Sequence, residues 1–99
     1  MPESLSEDGE TFLERADDFA GLAKRDLQTE LFRLKSDLSA RYEFEVEGFE
    51  KDYEARLWTG KEGDPNRAEF VVDLRGGETE INAFVIKNGD VVLNEVQRH

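Results

Sequence analysis

The chain holds one histidine, His99, and no cysteine, and these two facts narrow the chemistry open to it. A hydrolytic triad needs an imidazole held firmly against its nucleophile, and a histidine at the last position is not expected to be held anywhere. Without cysteine there is no thiol nucleophile, no disulfide framework and no zinc-thiolate site. Carboxylates are abundant, and Glu43, Glu45 and Glu47 form the closest row. Spacing of two sets them along one face of a strand, where water keeps carboxylates near their ordinary pKa and favours a solvated face over an acid/base pair.

Two loops contain the residue types of ion or phosphate sites. The stretch GKEGDPNRAE meets the alternating oxygen pattern of a calcium loop only in part. The stretch RGGE has glycines, but no helix follows to aim amides at a phosphate, so it reads as a hairpin turn. No cofactor and no metal site is expected. One constellation remains for chemistry: Tyr42, Tyr53, Asn82 and Asn94 could line a pocket between helix and sheet. Such a pocket would suit a small-ligand-binding or enzymatic domain.

The elements that must position these residues follow from hydrophobic periodicity. Residues 1–10 are polar and are expected to form a flexible segment. Thr11 to Glu14 reads as a capping box, and Phe12, Ala16, Phe19, Ala20, Ala23, Leu27, Leu31, Leu34 and Leu38 then recur at steps of three and four. That stripe, about 120° wide, predicts one long helix over about 11–40. At about 40–45 Å it would outreach strands of about 27 Å, so it must overhang the sheet or break at Gly21. Leu22 and Phe32 fall off the stripe and are candidate interface residues.

From Tyr42 the period becomes two. Strands are expected over about 42–49, 52–59, 67–75, 80–87 and 90–97, with Asn88-Gly89 marking a type I′ hairpin. The fold class is therefore α+β, one long N-terminal helix packed on a five-stranded antiparallel meander, in a single domain. In shape this resembles the cystatin-like architecture, but the sequence has no Gln-x-Val-x-Gly loop and no inhibitor function is implied.

The formal charge is −11, from 24 acidic and 13 basic residues. Such a field argues against direct nucleic-acid binding and against anionic membranes, and nothing is apolar enough for a membrane span. A cytoplasmic protein is expected, its acidity serving solubility as in salt-loving organisms, or else mimicking nucleic acid. Both faces of the last hairpin read as apolar. The expected register places Trp58, Val71, Phe84, Ile86, Val91 and Leu93 together on the face away from the helix, ringed by charge. Such a patch calls for a cover: a second copy in a homodimer, a basic protein partner, or residues 1–10 anchored by Leu5. The expectation is a non-catalytic interaction domain that self-associates through its outer sheet face.

Overall fold

Alternation at a period of two forms five strands, β1 (Tyr42–Phe49), β2 (Asp52–Thr59), β3 (Arg67–Leu74), β4 (Thr79–Lys87) and β5 (Asp90–Arg98). They pair antiparallel in sequence order, β1-β2-β3-β4-β5, giving the expected meander. The computed structural model describes residues 2–99, with side chains from residue 7 onward.

In place of one long helix, three segments lie on one face of the sheet: α1 (Pro2–Glu14), α2 (Ala16–Phe19) and α3 (Lys24–Lys35). Glu7 to Glu10, expected in a loose segment, belong to α1, and Asp8 is 1% exposed. Its carboxylate accepts from the backbone N–H groups of Ser39 (2.6 Å) and Ala40 (3.0 Å), fastening α1 to the turn that enters β1. Thr11 lies inside α1 and its hydroxyl donates to the Glu7 carbonyl, so the expected capping box is not formed. The Leu5 side chain lies outside the described residues.

The helical break has a physical cause in the sheet. Gly21 takes a left-handed φ of 68°, and its N–H donates to the Thr79 hydroxyl at 2.9 Å. The Tyr53 hydroxyl donates to the Leu22 carbonyl at 2.7 Å, and the Lys24 N–H donates to the Glu50 carbonyl at 2.7 Å. Groups of the strands and of the β1–β2 turn thus serve backbone atoms that a continuous helix would pair internally, and α1 packs on β3 and β4 while α3 packs on β1. The apolar stripe survives the break. Phe12, Ala16, Phe19, Leu27, Leu31, Leu34 and Leu38 are all buried, and Phe70 stacks between Phe12 (4.7 Å) and Tyr42 (5.1 Å) at the centre.

Register decides what the outer face carries. Between β1 and β2 it sets Glu45 opposite Arg56 and Glu43 opposite Trp58. Between β3 and β4 it departs from the expected patch: Leu74 pairs with Thr79, so the turn is Arg75 to Glu78, and Val71 faces Asn82 instead of Phe84. A type I′ turn at Asn88 (φ 53°) and Gly89 (φ 83°) joins β4 to β5 with Lys87 opposite Asp90, as its sequence demands. A bulge opposite Val85 and Ile86 then adds one residue to β5 and exchanges the faces beyond it. Leu93, opposite Val85, turns to the helix side, while Asn94 and Val96, opposite Phe84 and Asn82, turn outward.

Candidate interaction surface

The outer face can be written as cross-strand rows. One runs Glu43, Trp58, Glu69, Phe84, Asn94, and the next runs Glu45, Arg56, Val71, Asn82, Val96. Glu69 separates Trp58 from Phe84, and Asn82 separates Val71 from Val96, so the expected contiguous patch is interrupted. Its reason is the register of β3 and β4, which interleaves polar side chains with apolar ones. Val71 and Ile86 are also already sheltered, at 7% and 8% exposure. Each sits across from an arginine, Val71 from Arg56 and Ile86 from Arg67, whose long stems can shield it. Arg56 also approaches the half-buried Trp58 ring, 5.9 Å from its centroid, and Arg67 bonds Glu69 at 2.9 Å.

The apolar surface that does meet water lies at one edge. Among the described residues the exposed large hydrophobic side chains are Phe32, Phe49, Val91, Val92, Leu93 and Val96, and four of these six belong to β5. Val91 and Val96 are on the outer face and Leu93 on the inner. β5 is exposed at every residue except the half-buried Gln97, whereas α1 packs on β3 and β4 and α3 packs on β1. Val92 and Val96 are not among the interface candidates expected from the sequence. The available signal was topological: the last strand of a meander has a neighbour on one side only. Of the helix candidates, Leu22 is half-buried against the core, and Phe32 is exposed beside Phe44 in an open hollow of about 400 Å³.

The pocket constellation does not assemble. Tyr42 and Tyr53 are buried in the core, whereas Asn82 and Asn94 face outward on the other side of the sheet. Asn82 donates to Glu80, and Asn94 is exposed. Burial pushes the Tyr53 phenol up to about 12. The Tyr42 hydroxyl has no hydrogen-bond partner among the described residues. Burial, followed by the charge of Asp8, which lies near it without hydrogen-bond geometry, pushes that phenol well above its usual range. A partly enclosed, mainly apolar hollow of about 200 Å³ among the described residues, between Gly9 and Glu10 of α1 and Ala83, Val85 and Leu93 of the sheet, falls short of the roughly 300 Å³ a small ligand requires.

The remaining candidates for chemistry are occupied. His99 is fastened, contrary to expectation: its backbone exchanges hydrogen bonds with Thr79, and its ring lies against Asp17 (3.2 Å) and Gln97 (3.2 Å). Neither neighbour is a hydroxyl or thiol that the imidazole could activate. In the 60–66 loop, Asp64 accepts from the Asn66 N–H and Glu62 pairs with Arg56. Among the described residues no group of three histidines or carboxylates is placed to hold a metal. Glu45 shares its site with Glu47, whose carboxylate holds the Glu45 carboxyl above its usual range on an exposed strand face. No helix among the described residues is long and apolar enough to cross a membrane. No protein-family model, curated protein or solved structure matches the chain.

Proposed function

We propose that the chain is a non-catalytic interaction domain that self-associates through β5 and the outer-face Phe84 beside it. One observation carries the reading: four exposed apolar side chains, Val91, Val92, Leu93 and Val96, gather on a single strand, while among the described residues α1 packs chiefly on β3 and β4 and α3 on β1. Apolar area withdrawn from water is worth about 25 cal/mol per Å², and a small chain meets its own copies at the highest symmetry. The test is the mass in solution by light scattering, at low and at multimolar salt. A dimer, twice 11.4 kDa, that persists or tightens with salt is expected, because salt screens carboxylate repulsion and leaves apolar burial intact. A monomer at both salts overturns the reading and directs the search to a basic protein partner for the acidic surface.

A further inference from the structure

Self-association through β5 can bring two copies face to face or edge to edge, and the inference here rests on that self-association. We infer that the copies meet edge to edge: β5 of one pairs antiparallel with β5 of the other, continuing the sheet across a two-fold axis at Val96.

The first ground is main-chain hydrogen bonding. Thr79 and His99 exchange both backbone bonds, at 3.0 and 2.8 Å, so this pair is the hydrogen-bonded kind. Antiparallel pairs alternate between bonded and non-bonded, which leaves Arg98, Val96 and Asn94, opposite Glu80, Asn82 and Phe84, with N–H and C=O groups directed away from β4. Three outward donors and three outward acceptors in register match one thing well, another extended strand.

The second ground is the contrast between the two sheet edges. At the β1 edge Glu43, Glu45 and Glu47 are exposed, α3 packs alongside, and Lys24 Nζ donates to the Gly48 carbonyl at 2.8 Å. Two such edges would set glutamates against glutamates. β5 has no such row. Across the β4–β5 hairpin, residues 79–98, Lys87 and Arg98 offset two of the three carboxylates Glu80, Asp90 and Glu95, so the hairpin carries −1 of the formal charge of −11. Two copies of so acidic a chain repel least when these nearly neutral hairpins meet, which favours a second copy as the occupant.

The third ground is self-complementarity. With Val96 on the axis, Val96 meets its own copy, Asn94 meets Arg98, and Glu95 meets Gln97, so no like charges stand opposed. Moving the axis one residue to Glu95 would set two carboxylates directly across from each other, which destabilises a pair. The bulge next to Val92 ends the regular ladder on the turn side, so the paired length is finite.

Amide hydrogen exchange read residue by residue, at micromolar and at millimolar protein, tests the geometry. The expected result is that the Asn94, Val96 and Arg98 amides slow by about tenfold or more at high concentration, while the already paired Glu95 and Gln97 amides change little. Val96→Pro, which removes the outward N–H while keeping an apolar side chain at this edge position, should leave the far-ultraviolet spectrum unchanged and abolish the dimer in light scattering. A dimer whose Asn94, Val96 and Arg98 amides exchange as fast as unprotected amides overturns edge pairing while self-association stands. A monomer at millimolar protein overturns both.

Discussion

Tyr42 and Tyr53, the two tyrosines of the chain, are both buried on the helix side of the sheet. Their phenols are held neutral by burial, Tyr53 up to about 12 and Tyr42 beyond it. In the unfolded chain a tyrosine ionises near pH 10, so the folded state binds more protons than the unfolded state above that value. The stability they contribute is therefore complete below about pH 10 and is lost as pH rises from about 10 toward 12. In an alkaline titration, tyrosinate absorbance at 295 nm should stay flat through pH 10 and then rise together with loss of the far-ultraviolet circular dichroism. Ionisation near pH 10 with the spectrum intact would mean that the phenols are not buried. Alternation along β1 and β2 already placed these side chains inward. Asp8 could not be read in the same way: a carboxylate in a polar stretch carries no local sign that it caps Ser39 and Ala40, some thirty residues further along the chain.

At the scale of elements, Gly48 is the residue on which the β1–β2 hairpin depends. It takes a φ of 113°, and a Cβ there would lie 2.8 Å from the Tyr53 Cα. Gly48→Ala should therefore cost about 2–3 kcal/mol in urea unfolding, by combined backbone strain and collision. Gly63→Ala, where φ is 80° but the surrounding space is open, should cost less. A reversed order would show that the hairpin relaxes freely around position 48. The strands were legible because period-two alternation and Asn88-Gly89 are local signals, and the apolar stripe was legible because burial follows periodicity. Helix continuity was not. The stripe passes through Gly21 without a change of period, and the break is decided by Thr79, Tyr53 and Glu50, which contribute long-range hydrogen bonds no local pattern contains. The β3–β4 register and the bulge beside Ile86 escaped for a related reason: each turns on one residue more or less in a turn or strand, and one residue exchanges every face beyond it.

For the whole molecule the charge of −11 is held within a body of 34 × 24 × 22 Å. Ion pairs offset part of it. Arg15 reaches Asp37 at 2.8 Å, Glu30 at 3.7 Å and Asp18 at 3.5 Å, tying the α1–α2 junction to α3 and its following turn. Salt weakens such exposed pairs and screens the general repulsion at once, and the two effects oppose each other in stability. With 24 acidic residues against 13 basic ones, repulsion outnumbers attraction and should win. The Debye length falls from about 10 Å at 0.1 M to about 3 Å at 1 M, shorter than most separations across the molecule. The melting temperature should therefore rise as sodium chloride is raised over that range at fixed, low protein concentration, where association does not contribute. A falling melting temperature would show that the Arg15 cluster and its like outweigh the net field. The nearly neutral β4–β5 hairpin extends the argument to pairs of molecules: repulsion between copies is weakest where the apolar edge lies, so salt should strengthen association there by a smaller factor than for a dimer closed across the glutamates of β1.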